Sequence, residues 1–295
     1  MAESYQPLIL IGAARSGTKF LRDLIARHPD VSKVPYDINY VWRLGNERVP
    51  HDELSPAWLT SEIRDRIRRR FEASRDGAPF LIEKTVSNCL RVPYVQAVFP
   101  EALFIHLVRD GVDVVESAYR QWMASPDWGY ILKKTLSFPL REAPGYGLSY
   151  ATTTLYNLVA PNQGRLGTWG PRYQGIDEDV ATLDLLAVCG IQWMRSVQKA
   201  LDDLSGMPIG RVLMVRYEEV VREPRKHLEL VADFCSIDPG FFRDLNLDSV
   251  STENIGTGYR SLSTDQVGLV LEHIRDGLGR LGYDKSPAVG VPDLS

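Results

Sequence analysis

Between positions 12 and 19 the chain reads Gly12, Ala13, Ala14, Arg15, Ser16, Gly17, Thr18, Lys19. Glycines, hydroxyls and cations at this spacing are suited to cradling a phosphate. Gly12 and Gly17 let the backbone turn tightly, and the amide N–H groups of residues 16–20 would converge at the positive end of a following helix. Arg15 and Lys19 add full charges to that partial one. The flanking sequence supplies the elements that position the loop. The apolar run Leu8 to Ile11 predicts a central parallel strand, and helical periodicity from Phe20 predicts Phe20, Leu21, Leu24 and Ile25 on the sheet, with Arg22, Asp23 and Arg27 pointing away. The loop departs from the nucleoside triphosphatase pattern, which needs lysine directly after the second glycine and then a hydroxyl to hold magnesium. Here Thr18 follows Gly17, Lys19 comes next, and Phe20 stands where the hydroxyl belongs. The expectation is a phosphate ligand handled without a metal; the alternative is a strand-to-helix turn whose charges are merely solvated.

A second segment has the same design. Leu103 to Leu107 predicts another buried strand, with Arg109 at its carboxyl end, a turn at Asp110-Gly111, and a helix carrying Ser117. Ligands of open α/β sheets bind at such strand ends. Arg109 and Ser117 are placed to grip one phosphate. The alternative is an ordinary helix start, with Arg109 paired to Asp110 or Asp113.

Together the two segments resemble the sulfotransferases that use 3′-phosphoadenosine 5′-phosphosulfate. The resemblance implies that GAARSGTKF binds the 5′-phosphosulfate and that Arg109 with Ser117 binds the 3′-phosphate. Arginine at position 15 is similar to the tyrosylprotein and carbohydrate branches. Glu83-Lys84 after the strand Phe80 to Ile82 sits where the family has a lysine near the transferred group. Arg216-Tyr217-Glu218-Glu219 resembles its RYE-type strand end, and Tyr259 to Tyr283 the closing segment of tyrosylprotein sulfotransferases. The implied fold is α/β: a P-loop-type parallel sheet flanked by helices on both faces, in one domain over 1–295 with an acceptor-binding insertion at 123–180. The implied donor contacts are Arg15, Ser16, Gly17, Thr18, Lys19, Phe20, Arg109, Ser117, Tyr217, Thr257, Gly258, Tyr259 and Arg260, with no metal. Arg15 and Lys84 would stabilise charge in the transfer. Asp37 would accept the acceptor's proton, with a turn or helix cap before Tyr40-Val41-Trp42 as its alternative role. Glu83 is the lesser candidate base and is expected to orient Lys84 instead.

Two departures stand out. Lys19 occupies a position that is often a second hydroxyl in relatives, and no carboxylate falls at Pro35-Tyr36, where the tyrosylprotein branch carries its glutamate; Asp37 is the nearest substitute. Gly256 to Arg260 reads as a flexible glycine loop closing over the 3′-phosphate, followed by a helix starting near Ser263 or Thr264. Tyr217 would place its ring at the rim, where a purine could rest.

Helical patterns fill 56–75, 181–204, 224–236 and 264–281, alternating with short strands. The stretch Ser125 to Asp177 differs, being rich in Pro, Gly, Tyr and Trp, including Trp169 and Tyr173. With Tyr36 to Trp42 it is read as an acceptor lid for a small molecule, a glycan or a lipid, or else as a self-packed excursion or a homodimer surface. A net charge of −4 gives no support to a nucleic-acid binder. Arg64 to Arg70 reads as a solvated helix face with Ile63, Ile67 and Phe71 on its apolar side. Cys89, Cys189 and Cys235 are too few and scattered for a disulfide framework or a zinc site. With no basic n-region before an apolar run, and no run of about 18 apolar residues, a cytoplasmic location without a membrane span is expected. A small-molecule phosphotransferase and a non-catalytic nucleotide sensor are the competing functions.

Overall fold

A computed structural model describes residues 5–123 and 169–284. Its centre is a five-stranded sheet in the order β2-β3-β1-β4-β5, every neighbouring pair parallel. The strands are β1 (Gln6–Ile11), β2 (Val31–Lys33), β3 (Phe80–Glu83), β4 (Leu103–Val108) and β5 (Val212–Arg216). This is the expected α/β architecture. Its logic is visible in β1, where side chains alternate between faces. Ile9 and Ile11 enter one core with Trp42, Phe71, Tyr94 and Phe99, while Leu8 and Leu10 enter another with Leu21, Leu24, Ile25 and Leu228. A strand buried on both faces must be a continuous apolar run, which is why β1 and β4 were legible in the sequence.

The helices are α1 (Thr18–Ile25), α2 (Asn39–Trp42), α3 (Ser61–Glu72), α4 (Val92–Val98), α5 (Gly111–Met123), α6 (Ile176–Thr182), α7 (Leu185–Ser205), α8 (Tyr217–Arg222), α9 (Pro224–Cys235), α10 (Thr257–Ser261) and α11 (Thr264–Leu281). Caps fix several boundaries. Thr60 accepts from the Ile63 amide and opens α3, so the helix expected from 56 starts at 61, behind a single 3-10 turn at Pro56–Trp58. Asp184 caps α7 and thereby divides the helix expected over 181–204 from α6. Ser263 and Gln266 form a reciprocal capping box at the start of α11, where the sequence placed it. A third apolar cluster joins α5, α7 and α11 through Val112, Val115, Trp193 and Ile274.

Three expectations are corrected. Arg22 does not point away from the fold: it is 3% exposed and donates to the Val34 carbonyl and to Asp23. Gly256 to Arg260 is not an open loop, because Thr257–Ser261 is helical behind Gly256 in the left-handed region. Tyr173 is not a lid residue, since its ring is 2% exposed in the core and its hydroxyl donates to Asp179. Most of the aromatic insertion, residues 124–168, lies outside the described residues. The expected solvated face of α3 is present, with Ile67 and Phe71 buried beneath it and Arg68 paired to Glu101. Cys89, Cys189 and Cys235 are free, buried thiols. Among the described residues no helix is long and apolar enough to cross a membrane.

Candidate active site

Five of the candidate positions follow the carboxyl ends of strands, in the spatial order of the sheet. Asp37 follows β2, Lys84 follows β3, the 12–17 loop follows β1, Arg109 follows β4 and Tyr217 follows β5. The two candidate anion-binding segments therefore meet at adjacent strand tips.

The loop is held by backbone conformation. Gly17 (φ 90) is the N-cap of α1 and contributes no capping side chain, which leaves the first-turn amides open toward the loop. Ser16 and Thr18 are 1% and 3% exposed. A Cβ on Gly17 would lie 2.6 Å from Cδ2 of Tyr217, whose ring forms the opposite wall. Phe20 meets that ring edge-on, with centroids 6.2 Å apart. Gly17→Ala should thus cost about 1–3 kcal/mol through backbone strain and the clash, read as a lower denaturant midpoint. A loss under about 0.5 kcal/mol would mean that the ring simply moves aside.

Arg15 also has a positive φ, 71, and its Nε donates to Ser117 Oγ at 2.9 Å. Arg109 donates to the Arg15 carbonyl at 3.1 Å and to the Asn254 carbonyl at 2.6 Å. Its guanidinium lies over the Tyr217 ring, 4.4 Å from the centroid. Asp113 is 3.7 Å away, so the alternative pairing read from the sequence is also present. Although Arg15 reaches solvent, partial burial and then the charges of Arg120 and Arg109 hold its pKa below the ordinary arginine value. Cations that repel one another in this way would be relieved by an anion. The buried Nε of Arg109 has no hydrogen-bond partner among the described residues. An orphaned buried donor beside a glycine cradle fits a phosphorylated ligand.

Other candidates are placed differently. Lys19 is highly exposed and pairs with Asp23 at 3.0 Å, along the outside of α1. Arg260 turns back to the carbonyls of Ile255 and Glu253. Thr257 donates to the Glu253 carbonyl, Gly258 is buried against α5, and Tyr259 packs beside the third apolar cluster.

At the other end of the row, Lys84 Nζ lies 3.6 Å from Asp37 Oδ2. Asp37 also accepts from the Asn39 and Val86 amides, so it holds the turn into α2 as the alternative reading had it. Glu83 does not orient Lys84. It is fully buried and accepts from Thr85 at 2.5 Å and from Asn88 at 3.0 Å. Burial, opposed by the Thr85 hydrogen bond and reinforced by Asp37, pushes its carboxyl up to about 7. Beneath lies a cluster that the sequence reading missed: Asp52, with Arg43, Arg91, Asn39 and Ser87. Among the described residues no group of three or more His, Cys, Asp or Glu is arranged to hold a metal ion.

Comparison with known proteins finds similarity to sulfotransferases. The profile described as "Sulfotransferase family" matches residues 7–141. Protein-tyrosine sulfotransferase 1 of Danio rerio is 33% identical over 126 residues, covering 38% of this chain and 35% of that protein. The chain therefore aligns with only about a third of that relative's length. A putative protein-tyrosine sulfotransferase of Caenorhabditis briggsae aligns over 100% of this chain and 95% of its own length at 21% identity. Among solved structures, a sulfotransferase from Alicyclobacillus acidocaldarius superposes with a TM-score of 0.54 at 16% identity, covering 95% of this chain and 96% of that one. The sulfotransferase domain of the curacin biosynthetic pathway gives 0.50 at 14% identity, over 93% and 99%. The candidate phosphate-cradle segments lie inside the matched residues, and the fold is shared with these solved sulfotransferases over nearly the whole length.

Proposed function

We propose that the chain transfers a sulfuryl group from 3′-phosphoadenosine 5′-phosphosulfate to a hydroxyl or amine of an acceptor. The observation that carries this reading is the joining of the two candidate anion-binding segments: Arg109 grips the Arg15 carbonyl, Arg15 reaches Ser117, and a buried Arg109 Nε has no partner among the described residues. A donor with phosphate at two positions of one nucleotide matches two such sites at neighbouring strand tips. In the transfer, the acceptor oxygen or nitrogen bonds to sulfur as the bond from sulfur to the bridging phosphate oxygen breaks. Adenosine 3′,5′-bisphosphate leaves, and the acceptor's proton passes to Asp37. Arg15 and Lys84 stabilise the charge on the sulfuryl and bridging oxygens, while the α1 amides with Ser16 and Thr18 hold the leaving phosphate. The 3.6 Å separation of Lys84 Nζ from Asp37 Oδ2 supports a pairing of the proposed cation with the proposed base. The acceptor class is a small molecule, a glycan or a lipid; the named relatives add a tyrosine hydroxyl to the acceptors worth testing.

Calorimetry against adenosine 3′,5′-bisphosphate, ATP and GTP tests the reading. The bisphosphate should bind in the presence of a chelator, and Arg109→Ala should weaken it by about 10–100-fold, the loss expected for charge-assisted hydrogen bonds. Preferential, magnesium-dependent ATP binding would replace this reading with a phosphotransferase.

A further inference from the structure

We propose that Asp113 is a positioning residue that sets both Arg109 and the 254–258 segment for the 3′ end of the donor, an inference that rests on the donor assignment above. Asp113 is in the first turn of α5, where a carboxylate ordinarily caps its own helix. Here that work is done by Asp110, whose Oδ1 accepts from the Val112 amide at 2.8 Å and the Asp113 amide at 3.4 Å. Asp113 is thereby free to reach across the fold. Its Oδ2 accepts from the Gly256 amide and its Oδ1 from the Gly258 amide, both at 2.8 Å. Arg109 stands 3.7 Å from the same Oδ2 and donates to the Asn254 carbonyl.

A buried carboxylate needs partners of this kind, and here they come from two places that the chain must bring together. Its side chain is 1% exposed. The glycines make the approach possible. Gly256 has φ 70, and a Cβ on Gly258 would lie 2.4 Å from the Val112 carbonyl oxygen, so α10 rests directly on the backbone of α5. The resulting clasp closes at one carboxylate. Asp113 stands beside the guanidinium of Arg109, whose Nε has no partner among the described residues, and fixes the segment carrying Thr257 and Tyr259 against the strand end from which Arg109 projects.

The test combines nucleotide binding with amide exchange in the full chain. Wild-type protein should prefer adenosine 3′,5′-bisphosphate over adenosine 5′-monophosphate. Asp113→Asn should shrink that preference about tenfold with little change in 5′-monophosphate affinity, and should add nothing in an Arg109→Ala background. In the ligand-free protein, hydrogen exchange over 254–260 should rise while exchange over α11 stays protected. Gly258→Ala should reproduce both effects from the other side of the contact. Parallel weakening of both nucleotides, or exchange rising throughout, would reduce Asp113 to a structural residue and overturn the proposal, as would an unchanged preference. Wild-type protein with no affinity for the bisphosphate would instead overturn the donor assignment, and the exchange measurement would still decide whether Asp113 holds the segment.

Discussion

Asp52→Ala is expected to destabilise the protein by about 3–5 kcal/mol, the cost of removing one partner from a buried ion pair. Asp52 is 2% exposed, and its Oδ1 takes Arg43 at 3.0 Å and Asn39 at 3.1 Å. Its Oδ2 takes the Ser87 hydroxyl at 2.8 Å and the Arg172 amide at 2.9 Å. Burial alone would raise the pKa of this carboxyl, but the Arg91 charge and the hydrogen bonds from Arg172, Asn39 and Ser87 outweigh it and hold the pKa below the usual value. The depressed pKa means that Asp52's contribution is present above the unfolded carboxylate range and is lost in acid, as pH falls through the folded value. At neutral pH the alanine variant takes from Arg91, which is fully buried, the carboxylate that stands 3.9 Å from its Nη1. The loss is therefore mostly the cost of stranded charge. Urea denaturation of the wild type, Asp52→Ala and Asp52→Asn measures it, with the asparagine variant falling between because it keeps part of the hydrogen-bonding shape. A loss below about 1 kcal/mol for alanine would show that water enters and solvates the arginines.

That cluster also shows why part of the site could not be read from the sequence. The strand-turn-helix form of the two candidate phosphate segments was legible because each is a local pattern: an apolar strand, a turn and a helix in continuous residues. Arg109 could be found because it ends such a strand, and its spacing of four residues from Asp113 already suggested a pair. Asp52 has no local signature. Its partners come from three stretches far apart in the chain, 39–43, 87–91 and 172, and no local pattern joins one stretch to another. Arg22 failed for a related reason. Periodicity assigns it to the solvent side of α1, but the chain returning through Val34 covers that side and supplies a carbonyl for the guanidinium. The α10 segment was read as a loop because glycine disfavours helix, and only the tertiary contacts with Asp113 and Val112 explain why glycine is required there.

Arg15→Ala should lower kcat by about 10²–10³-fold, as removing one preorganised donor from a charge-stabilising site does elsewhere. A smaller change is expected in affinity for the bisphosphate. The distinction follows from geometry. In the proposed reading, ground-state anchoring is shared among Arg109, the α1 amides and the buried hydroxyls of Ser16 and Thr18. Arg15 belongs to the same cluster, yet its side chain still reaches solvent and, among the described residues, is held by one side-chain hydrogen bond, to the Ser117 hydroxyl. A cation held so lightly can follow charge as it moves from the sulfuryl group to the leaving phosphate, and an interaction that strengthens only at the transition state appears in kcat. Arg15→Lys should recover part of the rate, because it restores the charge without the planar fork. Single-turnover kinetics alongside equilibrium bisphosphate binding separates the two effects. If alanine removes donor affinity and leaves kcat intact, Arg15 is an anchoring residue, and the charge developing in the transfer must be met by Lys84.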